Sequence, residues 1–241
     1  MTLARERRTL FIVSEVRSGS TYLAETLAYE LNDGLGFDLW QLLQEPFQEL
    51  NERSTPQHAL SILERLHLDR SGFAGAKVLC KHMAILLRLA TACPALRSAL
   101  LGPDAYWIVV RRADRVEQAV SLAAARKSGV YHFYDDPQTA ADRDVSLEMD
   151  EIQAALAAIA LSDLYLELLT TQLPANQTLS LKYEDLLVDQ VGALQCIHDL
   201  CGFPPLDAGR YLNGAKIRPT AQETKRRVSA EYKNWLLANY N

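Results

Sequence analysis

The stretch Thr9-Leu10-Phe11-Ile12-Val13-Ser14-Glu15-Val16-Arg17-Ser18-Gly19-Ser20-Thr21 decides how the fold is read. Its first half, Thr9 to Ser14, is a dense apolar run, too short for a helix and too continuous for a half-exposed strand. It suits a strand covered on both faces. A tight run of small residues follows, and Tyr22 to Leu31 then carries a helical pattern. Strand, small-residue loop and helix together aim backbone N–H groups and the positive end of a helix dipole at an anion. Gly19 lets the backbone approach closely, while Ser18, Ser20 and Thr21 add hydroxyl donors. Taken alone, the same string reads more simply as a strand-to-helix turn with a serine cap, so the rest of the chain has to decide.

Three further runs share the character of the first: Ala76 to Cys80, Ala105 to Val110 and Thr178 to Tyr183. Helical patterns lie between them, at Met83 to Ala90, Ala95 to Leu101 and Asp114 to Lys127, the last opening on a capping acid. A longer one, Leu147 to Gln172, has an apolar stripe at Ile152, Leu156, Ile159 and Leu168 and stops before Pro174. Strands alternating with helices imply crossover units, hence an α/β, P-loop-like, three-layer fold whose central, mostly parallel sheet is flanked by helices. Neither an internal repeat nor a Gly/Ser-rich linker divides residues 1–241, so a single domain is expected. Two stretches are long for connections, Trp40 to Gly72 and the polar Gly129 to Ser146. The first is expected to add helices and a pocket wall, the second a lid or binding loop.

Composition narrows the function classes. With 49% apolar and 23% charged residues, 9 prolines and 11 glycines, the 241-residue chain is a globular enzyme type, not a disordered, collagenous or coiled-coil one. Its size suffices for folding without disulfides or a structural metal. Lys and Arg number 25 against 30 Asp and Glu, a net charge of −5, which excludes a generally basic nucleic-acid binder but leaves room for a local basic site. Cys80, Cys93, Cys196 and Cys201 form no C-x-x-C pair and read as buried free thiols of a reducing compartment. The apolar run Leu10 to Val13 is too short for a signal core, and no span approaches a transmembrane helix. A soluble, cytoplasmic protein is expected.

Comparison with the nucleotide loop G-x-x-x-x-G-K-[ST] sharpens the first stretch. Gly19 and Thr21 fall on its second glycine and hydroxyl position, but Ser14 replaces the first glycine, Ser20 replaces the lysine, and the basic side chain comes earlier, at Arg17. The third strand ends in Arg111-Arg112 where a nucleoside triphosphatase would carry an acid for Mg²⁺. The loop therefore suits a phosphate without a metal. Arg111 and Arg112 leave the sheet at its carboxyl edge, where ligands of open α/β folds bind, with Ser121 on the following helix. Neighbouring strand residues point to opposite faces, so one of the two arginines reaches the ligand.

Arg17 to Thr21, R-S-G-S-T after the first strand, resembles the 5′-phosphosulfate loop of sulfotransferases that use 3′-phosphoadenosine 5′-phosphosulfate. IVVRRADRVEQAVSLAAARKSGVYH, residues 108–132, resembles the family's 3′-phosphate element. Its wording is closest to the bacterial trehalose 2-sulfotransferase-like carbohydrate branch. Weaker matches at GAKVLCKHM (75–83), LKYEDLLVD (181–189) and Glu45-Pro46-Phe47 bring the likeness to Phe11–Asp189. The resemblance implies sulfuryl transfer to a hydroxyl of a small molecule, carbohydrate or glycolipid, with no metal. Arg17 would neutralise the leaving group, Ser18 to Thr21 would hold the 5′-phosphate, and Arg111 or Arg112 with Ser121 would hold the 3′-phosphate; the family's Arg-to-Ser spacing is slightly shorter than either pair here, and Arg112 is slightly preferred.

Glu45 is the first choice for the base that takes the acceptor's proton. His82 is the alternative and Glu49 the third, and Lys81 with His82 could merely line the pocket. Lys77 matches a Gly-x-Lys element or solvates a strand edge. Tyr183-Glu184-Asp185 is expected to be structural, Tyr183 packing under the loop and Asp185 capping the next helix. Lys225-Arg226-Arg227 lies in a region that carries 3′-phosphate contacts in several relatives, but without a secure alignment it is read as a solvated face. Tyr131, His132, Phe133 and Tyr134 either stack on a sugar or adenine or anchor their loop. Some relatives are dimers, so a homodimer is an open expectation, with no interface visible in the sequence. The rival readings are an ATP-dependent small-molecule kinase and an inactive nucleotide-binding or interaction protein of the same fold.

Overall fold

Strand β1 (Arg8–Ser14) is buried at every position after Arg8, and this decides the layering: both of its faces need cover. The computed structural model describes residues 7–35, 45–66, 68, 72–129, 146–203 and 222–239. β1 lies between β2 (Phe73–Leu79) and β3 (Ala105–Arg111), and β4 (Thr178–Lys182) flanks β3. All the pairings are parallel, in the order β2-β1-β3-β4. Ser14 sits opposite both Leu79 and Val110, so the three strands end level and the loop after β1 starts at the carboxyl edge of the sheet.

On one face lie α2 (Pro56–Arg65), α3 (Cys80–Ala90), α4 (Pro94–Leu101) and α6 (Met149–Thr170). Their core joins Phe11, Val13, Ala76, Val78, Trp107 and Val109 from the strands. Phe11 stacks on Trp107 with ring centroids 4.4 Å apart, and Trp107 Nε1 donates to the Leu100 carbonyl at 2.9 Å. On the other face α1 (Ser20–Leu35), α7 (Tyr183–Val188) and α8 (Gln190–Cys201) cover Leu10, Ile12, Ile108 and Val110. A third cluster packs α5 (Arg115–Ser128) on α6 and α9 (Gln222–Asn239) through Val120, Ala123, Ile159 and Tyr232. Asp114 caps α5 as its sequence suggests, accepting from the Glu117 N–H at 2.9 Å, and Gly129 ends it with φ 72°.

Several expectations are corrected. β2 begins at Phe73 and ends at Leu79, because pairing with β1 recruits Phe73-Ala74-Gly75, whose small residues give no strand pattern. Cys80 belongs to α3. β4 is an edge strand with half-exposed residues, not one covered on both faces. On α6 the buried positions are Ile152, Ala155, Ile159, Asp163 and Leu166, while Leu168 is exposed. α6 is also long and apolar enough to cross a membrane, contrary to the expectation that no span approaches that length. The helix after α7 is capped by Asp189, which accepts from the Gly192 N–H at 2.8 Å, and not by Asp185. All four cysteines are free, but Cys196 is exposed and Cys93 half-buried. Burial pushes the Cys80 and Cys201 thiols up to about 12. Tyr131, His132, Phe133 and Tyr134 lie outside the described residues, as do 40–44 of the other long connection.

Candidate functional site

The loop between β1 and α1 curls through two positive-φ residues, Arg17 at 61° and Gly19 at 90°. An L-residue at positive φ costs about 1 kcal/mol or more and persists only where its surroundings hold it, a feature that clusters at ligand clamps. Gly19 has a second reason to be glycine. A Cβ there would lie 2.1 Å from Tyr183 Cδ2, so the Tyr183 ring is the floor of the loop, as its sequence suggests. Ser14 Oγ donates to Ser20 Oγ at 2.8 Å and ties the strand end to the first turn of α1. Ser18 is 1% exposed, and its hydroxyl has no hydrogen-bond partner among the described residues. A buried, unmatched hydroxyl in a loop that leads into a helix N-terminus fits an anion oxygen as its missing partner.

The two arginines at the end of β3 diverge. Arg111 turns towards α6, where Nη2 donates to Thr170 Oγ1 at 3.4 Å. Arg112 turns towards the loop. Its Nη1 donates to the Arg17 carbonyl at 3.4 Å, Nη2 pairs with Glu117 at 3.0 Å, and the guanidinium lies 5.1 Å from the Tyr183 ring centroid. The buried Nε of Arg112 has no hydrogen-bond partner among the described residues. Ser121, 3% exposed, faces the same place: Arg17 Nε donates to its Oγ at 3.0 Å, and Lys225 Nζ at 3.3 Å. Burial, then the charges of Arg17 and Arg112, push the Lys225 ammonium down to about 8, with Glu117 opposing. Arg17 and Lys225 thus meet on one hydroxyl with Arg112 near enough to repel the ammonium, an arrangement an anion would relieve.

Lys225 therefore corrects the solvated-face reading of its cluster, which holds for the exposed Arg226 and Arg227. Nothing in the local sequence marks the difference, because the helix period shows which residues share a face but not what that face covers. Glu184 belongs to the triplet expected to be structural, though nothing in the sequence named a partner for it. Its carboxylate accepts from the N–H groups of Ala113 at 2.9 Å and Asp114 at 3.2 Å, pinning the turn between β3 and α5.

On the β2 side, Glu45 precedes the short 3-10 turn Pro46–Glu49. Its Oε1 is 2.8 Å from Lys77 Nζ, and its Oε2 accepts from Gln48 Nε2 at 3.0 Å. Lys77 is 3% exposed and donates to Thr21 Oγ1 at 3.1 Å, so it joins Glu45 to the loop instead of solvating a strand edge. His82, in the first turn of α3, is buried. Burial and then Lys81 hold its imidazole below the usual pKa, with Glu45 opposing, so it is neutral at pH 7. Its Nδ1 lacks a hydrogen-bond partner among the described residues. Glu49 points elsewhere: it is exposed, 3.5 Å from both His58 and Arg65. Glu15 was passed over in the sequence. Burial raises its carboxyl pKa, partly offset by bonds from the Val16 N–H and Ser162, with Asp163 raising it further and Lys81 opposing.

The geometry thus gathers Arg17, Ser18, Gly19, Ser20, Thr21, Arg112 and Ser121 on one side of the sheet edge, with Glu45 and Lys77 at Thr21. Arg111 and Glu49 are set apart. Residues 9–165 match the protein family described as Stf0 sulphotransferase. No curated protein sequence matches the chain. Among solved structures it resembles a sulfotransferase from Alicyclobacillus acidocaldarius at 12% identity, over 96% of this chain and 94% of that one, with a TM-score of 0.49. It also resembles sulfotransferase STF9 from Mycobacterium avium at 16% identity, over 86% of this chain and 43% of that one, TM-score 0.41. The sulfotransferase domain from the curacin biosynthetic pathway is similar at 16% identity, over 92% and 83% of the two chains, TM-score 0.47.

Proposed function

We propose that this chain, which belongs to the Stf0 sulphotransferase family, moves the sulfuryl group of 3′-phosphoadenosine 5′-phosphosulfate onto a hydroxyl of a carbohydrate or glycolipid. The observation that carries the donor is the pairing of two anion sites at one sheet edge. One is the curled loop with the unmatched Ser18 hydroxyl. The other is the meeting of Arg17 and Lys225 at Ser121, with Arg112 on the Arg17 carbonyl beside it. A nucleotide phosphorylated at both the 5′ and 3′ positions has two charged ends to match, and Arg17 belongs to both sites.

In this reading the N–H groups of Ser18 to Thr21 hold the 5′-phosphate, and Arg112, Ser121 and Lys225 hold the 3′-phosphate. Arg17 neutralises the charge that gathers on the bridging oxygen as the sulfur–oxygen bond breaks. The acceptor oxygen forms the new bond to sulfur, its proton passes to a carboxylate oxygen of Glu45, and the adenosine bisphosphate departs. Glu45 needs no raised pKa for this, because the proton moves mainly as the new bond forms. Lys77 keeps Glu45 in place, and the neutral His82 is the substitute base. The free cysteines suit a reducing, cytoplasmic setting. A screen of hydroxylated acceptors with labelled donor tests the reading. Turnover by the natural chain should fall by about 10²-fold or more in Arg17→Ala and Glu45→Gln. Undiminished turnover in the Arg17 variant would overturn the mechanism.

A further inference from the structure

Glu15 stands at the carboxyl edge of the sheet and takes no part in the donor contacts. In β1, Phe11 and Val13 face the side covered by α3 and α6, and Glu15 continues that alternation onto the same side. Ser14 pairs with Leu79, so Glu15 leaves the sheet level with Cys80, and Lys81 and His82 follow in the first turn of α3. α6 closes the group: Cys80 Sγ donates to the Ser162 carbonyl at 3.4 Å, and Asp163 Oδ2 accepts from Arg115 Nε at 2.7 Å. Glu15 accepts from the Val16 N–H and from Ser162, and it lies within the fields of Asp163 and Lys81. His82 lies within those of Lys81 and Glu45. A row of polar side chains therefore runs along the sheet edge in the order Glu45, His82, Lys81, Glu15.

We propose that Glu15, with Lys81 and His82 beside it, recognises the acceptor: it holds the hydroxyls next to the one that receives the sulfuryl group, and it favours a sugar with adjacent free hydroxyls over an anionic one. The inference rests on the carbohydrate reading of the reaction given above. Three observations carry it. First, hydrogen-bonding capacity is left over. A carboxylate accepts about four bonds, and the half-buried Glu15 accepts from Val16 and Ser162 among the described residues. His82 is 3% exposed, yet its Nδ1 has no hydrogen-bond partner among the described residues. Second, the groups are of opposite kinds. A carboxylate only accepts, an ammonium only donates, and a hydroxyl does both, so adjacent hydroxyls of one molecule can satisfy Glu15 and Lys81 together. Third, Glu15 is two residues before Arg17, which keeps their Cα atoms within about 7 Å, a span that one sugar ring bridges.

The charges decide the selectivity. Lys77 closes on Glu45 at 2.8 Å and Arg115 on Asp163 at 2.7 Å, so neither cation is left for an anionic acceptor. The remaining cation, Lys81, is exposed and hydrated, whereas Glu15 is fixed by two bonds and has the buried Asp163 behind it. Water screens the exposed charge more than the fixed ones, so the row as a whole repels an anion. A hydroxyl donated to a carboxylate is a charged hydrogen bond, and removing it from the acceptor should cost about 10- to 100-fold in kcat/KM.

Transfer from labelled donor to the methyl glycosides of glucose, galactose and mannose tests it. Each is set beside its uronic acid and its monodeoxy derivatives, on the full chain and on Glu15→Gln. In the natural chain the neutral sugar that reacts fastest should exceed its uronic acid by at least ~10-fold in kcat/KM, and one deoxy derivative that keeps the reacting hydroxyl should lose about 10- to 100-fold. Glu15→Gln should bring the loss for that same derivative below about 3-fold, since the bond is already weakened, and should narrow the bias against the uronic acid. Affinity for adenosine 3′,5′-bisphosphate, measured by calorimetry, should change by less than about 2-fold. A purely structural Glu15 would instead slow every sugar alike and disturb bisphosphate binding, and that result would overturn the proposal. So would a uronic acid used as well as its neutral sugar, a deoxy penalty that Glu15→Gln leaves intact, or bisphosphate binding with no transfer to any glycoside. Loss of bisphosphate binding in the natural chain is a different failure, that of the donor reading, and it would overturn this inference along with it.

Discussion

Gly19→Ala tests whether the loop is as tightly fitted to its floor as its geometry states. The added methyl would lie 2.1 Å from Tyr183 Cδ2 and 2.8 Å from Cε2 and Cγ. Carbon atoms settle about 3.5–4.0 Å apart, so ring and loop must separate by roughly 1.5 Å. Tyr183 has little room to yield, being 8% exposed, edge-on to Tyr22 at 6.3 Å between centroids and close to the Arg112 guanidinium. Overpacking of this kind costs about 1–3 kcal/mol. Placing alanine at a φ of 90° adds about 1 kcal/mol, offset by a similar amount because alanine is less free than glycine in the unfolded chain. The net expectation is a loss of about 2 kcal/mol. Urea denaturation reads it directly, and the double variant Gly19→Ala/Tyr183→Ala separates its parts. The clash disappears without the ring, giving a coupling of about 1–3 kcal/mol between the sites. Gly19→Ala within ~0.5 kcal/mol of the natural chain, with no coupling to Tyr183, would refute the reasoning.

Other substitutions probe the cations and the buried pair. Arg112→Ala should weaken adenosine 3′,5′-bisphosphate binding by about 10- to 100-fold, the size of a charged hydrogen bond, whereas Arg111→Ala should leave it nearly unchanged by calorimetry. Lys77→Met strands the half-buried Glu45 carboxylate and should cost about 3 kcal/mol in urea denaturation, much of it recovered by adding Glu45→Gln. Lys225, held at about 8, keeps its proton below that pH and loses it above. A bound phosphate would raise its pKa, so bisphosphate affinity should fall as pH rises from about 7 to about 9, and Lys225→Met should flatten the slope. Stability of the free protein runs the other way. The unfolded lysine, with a pKa near ~10.4, holds its proton through this window, so the contribution of Lys225 becomes less unfavourable as pH rises from about 8.

The sequence made the loop legible because its parts are adjacent: an apolar strand, small residues and a helix within Thr9 to Leu31. It also hinted at Lys77, since a lysine in an otherwise apolar strand has to find a partner. What it withheld was that partner, because Glu45 is brought to Lys77 by the path of a connection that no period describes. Lys225 was hidden for a related reason. It meets Ser121 from a helix more than 100 positions away, and its neighbours Arg226 and Arg227 really are exposed. The split between Arg111 and Arg112 followed from strand alternation, but alternation alone does not say which of them turns to the loop; in the structure it is Arg112. Capping was harder: Asp185 and Asp189 are both acids near a helix start, and only the break between α7 and α8 selects Asp189.

The central claim is a metal-free site for a nucleotide phosphorylated at two ends. Calorimetric titration of the natural chain with adenosine 3′,5′-bisphosphate in the presence of a chelator, set beside a titration with Mg-ATP, addresses it most directly. Binding of the bisphosphate without magnesium, at least ~10-fold tighter than adenosine 5′-monophosphate, is expected, because Arg112, Ser121 and Lys225 add charged contacts to the 3′-phosphate. Preference for Mg-ATP, or equal affinity for the bisphosphate and the monophosphate, would contradict it.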